Sequence, residues 1–388
     1  MDESLQPAGP AAPEQPQLTP PLPPKPGGKA FLVIIEVFLY LGLAAIAWSW
    51  HISHAHAVAK VVFFILLLVW AICHRAFGRK TYFNSVELRA GWRFAIFAVI
   101  LVLIGQIVNA VVRAATHGKG PGPLLTPFGT SAFEALQFGV ILLAAFLMSK
   151  IERRRMASYG LPLRPAFGKN FWVGILWGFG ALSLLLLCMY GTRDMSVGAT
   201  TLNLGQAIGY GAVWAVGFTL VGFSEEYLFR GYPQFTLTTG MGFWPSALVL
   251  SLLFGFAHSG NPGEKPLGLV AVVIVAMFFC LTLWKTGNLW WAVGFHAGWD
   301  WGESFFYGTA DSGIKATGHL LNPSFRAGAD RITGGSVGPE GSVLILPLFV
   351  VLFLAFHFAY RRRAGAYPDP AALKNAPHTP QPLPATSA

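Results

Sequence analysis

Three short stretches of this chain place acids, imidazoles and one guanidinium inside otherwise apolar sequence. The first reads Ser224-Glu225-Glu226-Tyr227-Leu228-Phe229-Arg230, the second Phe254-Gly255-Phe256-Ala257-His258, and the third His296-Ala297-Gly298-Trp299-Asp300. On a helix Glu226 and Arg230 stand four residues apart, share a face and can pair. Glu225 points about 100° away from Glu226 and is left without that partner, which makes it the candidate general base. His296 and Asp300 are also four apart, so both can face one site. One carboxylate, two imidazoles and a further acid can deprotonate a water and stabilise the oxyanion formed when that water attacks an amide. No serine or cysteine nucleophile is required, and the reaction class that fits is peptide hydrolysis by activated water.

The elements that must position these groups are apolar helices. Hydrophobic types make up 54% of the 388 residues and charged types 11%, against about 25% charged in a soluble domain. So little charge cannot wet the surface of a soluble globule of this size, but it suits a chain facing lipid. Apolar runs of the length a bilayer needs fall at 30–50, 58–73, 92–112, 130–149, 171–190, 206–229, 243–258, 267–284, 288–306 and 342–360. The fold class is therefore all-α, a polytopic transmembrane helix bundle of about 8–10 spans. Segment 206–306 is the catalytic core, preceded by transmembrane helices over 30–190 and followed by a loop at 307–341 and a last span at 342–360. The turn Gly240-Met241-Gly242 sets Glu225 and His258 at similar depth, roughly 22–26 Å from it at ~1.5 Å per residue. His296 needs tilt or a broken turn to join them. The 288–306 run is the weakest span, because Asp300 and Glu303 lie inside it.

The remaining features narrow the function. The net charge of +10 comes from clusters between apolar runs, among them Lys150, Arg153, Arg154, Arg155 and Arg164, and Arg361, Arg362 and Arg363. That is the pattern of cytoplasmic loops rather than of a nucleic-acid surface, and it puts both termini in the cytoplasm. Cys73, Cys188 and Cys280 are far apart, with no CxxC spacing, so neither a disulfide framework nor a zinc knuckle is expected. Glu36 in the first run reads as an interfacial acid, and His51, His54 and His56 as an exposed polar loop. Residues 1–29 and 361–388 are Pro-rich tails expected to be disordered. The first run is too long for a signal-peptide core and reads as retained. No role attaches to the Gly-rich loop 307–341.

In order, EExxxR, FxxxH and HxxxD resemble the motifs of the CPBP intramembrane proteases, the family of CAAX prenyl-protein endopeptidases and bacterial Abi-type proteins. They stand here as Glu225-Glu226 to Arg230, Phe254 to His258, and His296 to Asp300. Tyr159-Gly160-Leu161 ahead of a helix also looks like family members. The resemblance implies that Glu225 activates the water, His258 assists it, His296 and Asp300 form the oxyanion side, and Glu226, Arg230 and Phe254 shape the site. It implies a glutamate mechanism with no metal and no cofactor, acting on membrane-associated or lipidated peptide substrates. Eukaryotic prenyl proteases carry Asn where this chain has Asp300. An ionised Asp cannot donate to an oxyanion, so Asp300 would orient His296 or be protonated.

Each motif alone has a plain alternative: a structural ion pair, a helix-to-helix hydrogen bond, an interfacial cluster. All three on separate apolar helices between residues 225 and 300 make one signal. A non-catalytic scaffold or immunity-type protein of the same fold is the second reading. A zinc hydrolase is disfavoured by the absence of HExxH, and a transporter by the confinement of polar residues to one region. The Ala- and Gly-rich composition points to a prokaryote, hence a bacterial inner membrane.

Overall fold

In lipid every backbone N–H and C=O must find a partner within the chain, and an apolar run satisfies this most simply as a helix. The computed structural model describes residues 88–117, 126–362 and 365–368. The expected runs at 30–50 and 58–73, the Pro-rich tail 1–29, Glu36, Cys73 and the three early histidines lie outside the described residues, as does most of 361–388. Among those described, nine helices dominate: α1 Ala90–Ala115, α2 Pro127–Ile151, α3 Lys169–Gly191, α4 Leu204–Arg230, α5 Tyr232–Met241, α6 Phe243–His258, α7 Pro266–Thr286, α8 Trp290–Asp300 and α9 Ile345–Tyr360. The protein is an all-α polytopic bundle. Five of its helical segments are long and apolar enough to cross a membrane, one of them α4 running on into α5, while α6 and α9 are shorter apolar helices. Outward-facing leucine, isoleucine and phenylalanine side chains such as Leu176, Leu187, Ile208, Phe256 and Phe358 would be a liability in water and are at home in hydrocarbon.

Local sequence fixes the helix ends. Thr126 accepts a hydrogen bond from the Gly129 N–H and Pro127 opens α2. Asn203 and Gln206 cap α4 reciprocally. Pro266 starts α7, and Gly287 closes it in the left-handed region, at φ 74°.

The Arg-rich segments gather at one end of the bundle. There Arg93 pairs with Glu152 at 3.3 Å, Trp290 donates to the Pro162 carbonyl, the Leu289 N–H donates to the Gly160 carbonyl, and Tyr367 stacks on Trp284. At the other end β1, Met195–Gly198, pairs antiparallel with β4, Asn322–Phe325. A short hairpin of β2, Ala310–Asp311, and β3, Ile314–Lys315, precedes β4. The two large clusters of buried side chains are centred on Tyr159, Phe235 and Val293 and on Phe278, Trp291 and Phe295.

One expectation needs correcting. The depth estimate assumed unbroken helix from Glu225 to the turn at Gly240-Met241-Gly242. Instead α4 stops at Arg230, and Gly231 leaves helical geometry at φ −82°, ψ −123°. The cause is Pro233, two residues on: it has no N–H to donate, and its ring would clash with the Phe229 carbonyl in a continuing helix. Glu225 and His258 still meet, through a bent connection rather than a straight hairpin.

Candidate active site

The carboxylate of Glu225, near the end of α4, faces two imidazoles. Its Oε2 lies 3.8 Å from His258 Nε2 on α6 and 3.6 Å from His296 Nε2 on α8. No protein group donates a hydrogen bond to that oxygen. The sequence reading left Glu225 without the arginine and grouped it with His258 and His296, and here its carboxylate sits between the two imidazoles. These spacings exceed a direct hydrogen bond and suit a bridging water. The Glu225 side chain is 27% exposed, His258 18% and His296 13%, while Oε2 itself is covered.

Glu226 and Arg230 pair at 3.3 Å with both side chains fully buried, as their spacing predicts. Glu226 does more than bind the arginine: its Oε1 also lies 3.2 Å from His296 Nδ1. His296 Nε2 lies 3.6 Å from Asp300 Oδ2, beyond a direct hydrogen bond. His258 is oriented from its own helix, with Nδ1 2.8 Å from the Phe254 carbonyl. The Phe254 ring packs between the Arg230 guanidinium, at 4.3 Å, and the His258 ring, at 4.4 Å, a cation–π arrangement that fixes both. Phe279 on α7 stacks on His296 with an interplanar angle of 19°. All seven residues named from the sequence therefore lie together.

His296 is brought to depth by an unusually close helix pair. On α3, Gly174 and Gly178 face the backbone of α8, and on α8, Gly294 and Gly298 face the backbone of α3. A methyl group added at any of the four would come within 2.0–2.4 Å of a backbone oxygen on the other helix: Trp291, Phe295, Phe171 or Ile175. Small residues four apart on both partners let membrane helices touch backbone to backbone. Gly222 of α4 packs on α8 less closely, an added methyl group lying 3.0 Å from the Val293 carbonyl oxygen and 3.4 Å from the His296 Cβ.

The three groups open on a cavity of about 110 Å³. One wall is apolar, with Phe218, Val275, Phe279 and Phe349; the other carries Asp311, Ser312 and Glu340. The loop 307–341, given no role from its sequence, therefore forms part of the cavity. It folds back through the Gly313 N–H, which donates to the Val337 carbonyl at 2.8 Å, and Pro262 and Ser336 close the same side.

Several residues escaped the sequence reading. Glu134, in the middle of an apolar run, is buried on α2 beside Ser224, whose hydroxyl donates to the Glu134 backbone carbonyl. An acid at such a position was itself a signal. The glycine spacing of α3 and α8 was legible in the same way. Asp311 and Glu340 carried no local signal, because only the fold brings them to the cavity. Among the described residues one trio of side chains gathers its ligand atoms within 4.8 Å, and it is Glu303, Asp311 and Glu340 rather than Glu225, His258 and His296.

Residues 207–302 match the family described as Rce1-like, type II CAAX prenyl endopeptidase. The matched segment begins in α4 and ends beyond Asp300, so it contains all three motifs. The resemblance to the CPBP and CAAX proteases is borne out over that core, and with the apolar spans it makes the chain an integral membrane protein. No curated protein and no solved structure matches the chain.

Proposed function

We propose that this protein is a glutamate-type intramembrane endopeptidase that hydrolyses peptide bonds of membrane-associated or lipidated substrates. The observation that carries the reading is the Glu225 carboxylate, which faces a cavity with His258 Nε2 and His296 Nε2 3.8 and 3.6 Å from one oxygen. A water between these groups gives its proton to Glu225 and attacks the scissile carbonyl, with His258 steering it. His296 presents its ring N–H to the oxyanion. Glu226 at Nδ1 and Asp300 beside Nε2 hold the imidazole in place. In this scheme Asp300 positions His296 and does not touch the oxyanion, which resolves the difficulty that an ionised acid cannot donate to it. Collapse of the tetrahedral intermediate returns the proton from Glu225 to the leaving amine. The apolar wall of the cavity suits an extended, hydrophobic or lipid-bearing peptide.

The test is a comparison of protein termini in bacterial membranes carrying either the wild-type protein or Glu225→Gln. New termini that appear with wild type alone support hydrolysis. Identical termini, together with a cellular phenotype that the substitution leaves untouched, would instead identify a scaffold of the same fold.

A further inference from the structure

Beside the proposed catalytic groups lies a second acidic cluster that the hydrolysis scheme does not use. Past Asp300, α8 continues as a π-helical turn, Trp301–Tyr307. Such turns shift side chains out of α-helical register. This turn carries Glu303, which is fully buried. Asp311 comes from β2 and Glu340 from the 3-10 turn Pro339–Gly341, and carboxylate oxygens of all three lie within 4.8 Å of one another. Each acid accepts one neutral donor: Trp299 Nε1 on Glu303 Oε2 at 2.9 Å, the Ser304 hydroxyl on Asp311 at 3.0 Å, and the Ser312 hydroxyl on Glu340 at 3.2 Å.

The other oxygen of Glu303 points to a ligand. Oε1 is buried without a hydrogen-bond partner. It is aimed at the loop that supplies Glu340, because a methyl group added at Gly338 would lie 3.4 Å from it. Among the described residues no lysine or arginine forms an ion pair with any of the three acids. A fully buried Glu303 beside two half-buried acids needs a proton or a cation.

We propose that Glu303, Asp311 and Glu340 form a binding site for a hard divalent cation, calcium above all, that clamps loop 307–341 onto the end of α8. The donors are all oxygen, the set that hard cations select. A separation of up to 4.8 Å is what two Ca–O bonds of about 2.4 Å span, whereas magnesium bonds of about 2.0–2.1 Å demand a tighter, near-octahedral set. Gly338, at φ 110°, lets the loop backbone lie directly on Ala310, where an added methyl group would meet the Ala310 carbonyl at 2.1 Å. The site therefore joins the turn after α8 to two separate segments of the loop. Pairing of β1 with β4 sets this loop at the end of the bundle away from the Arg-rich segments. By the positive-inside rule that is the extracytoplasmic end, where calcium reaches the concentrations that weak carboxylate sites need.

The site stands apart from the hydrolysis reading and is tested without it. Full-length protein in detergent is stripped with chelator and titrated with terbium, with emission excited through tryptophan. Trp299 touches Glu303 directly, so an ion held there is sensitised. The expected result is saturable emission that calcium competes away, with affinity at least about ten-fold weaker in Asp311→Asn and in Glu340→Gln. Glu225→Gln should bind terbium like wild type, which separates this site from the hydrolytic one. Calcium should also raise the melting temperature of the wild type and leave both loop variants unmoved. Absence of saturable emission and of any calcium-dependent melting shift in the wild type would overturn the proposal even if neither loop variant folds. Emission equal in wild type and both variants would overturn it as well.

Discussion

A single methyl group set against backbone rather than against the acids and imidazoles should disable the site. Gly178 on α3 is the residue to change. A Cβ there would sit 2.0 Å from the Phe295 carbonyl oxygen and 2.9 Å from the Trp299 nitrogen, whereas contacts of this kind become ordinary at 3.4 Å. Both neighbours are backbone, so neither can swing aside, and α3 and α8 must separate by about 1 Å or more. Overpacking of this kind costs about 1–3 kcal/mol. The residue after Phe295 is His296, whose Nδ1 lies 3.2 Å from Glu226. A shift of that size carries the pair beyond hydrogen-bond range, and misplacing a catalytic group by about 1 Å costs on the order of 10²-fold in rate. Purified Gly178→Ala should melt lower than wild type and, below its transition, cleave a peptide spanning a mapped terminus on the order of a hundred-fold more slowly. Gly180→Ala is the control, because a methyl group there meets nothing within 4 Å, and replacing a helical glycine should if anything stabilise. If Gly178→Ala and Gly180→Ala match in both melting and turnover, the backbone contact does not position His296 and the reasoning fails.

Three further outcomes follow from the same geometry. Arg230→Ala leaves Glu226 buried without its partner and should destabilise by about 3–5 kcal/mol, measured by thermal or denaturant unfolding in detergent; an unchanged melting temperature would undercut the buried ion pair. Asp300→Asn keeps a side chain able to hold His296 and should lose less turnover than Asp300→Ala, and equal losses would remove Asp300 from that role. A zinc-selective chelator should leave turnover intact, since the proposed base is Glu225 itself; inactivation reversed by added zinc would revive the zinc hydrolase.

Much of this arrangement was legible in the residues. Four-residue spacing put Glu226 on Arg230, and ionisable groups in apolar runs marked α4, α6 and α8 as the helices that matter. What escaped has physical reasons. Glu226 reaches His296 across two helices, and periodicity within one helix says nothing about the next. The break at Gly231 needed Pro233 to be weighed against the apolar pattern around it. Asp311 and Glu340 sit in irregular sequence, where no period exists to read, and reach the cavity only because the loop folds back over α8. The glycines at 174, 178, 294 and 298 could have been read as a packing motif, and that reading would have supplied the tilt His296 needed.

The central claim, that Glu225 supplies the base, is met most directly by reconstituting wild type and Glu225→Gln in liposomes and measuring cleavage of the mapped peptide. Glutamine keeps the shape of the side chain and cannot take the proton from water. The rate should fall by about 10²–10⁴-fold, with the melting temperature unmoved. A glutamine variant that cleaves at the wild-type rate would contradict the mechanism.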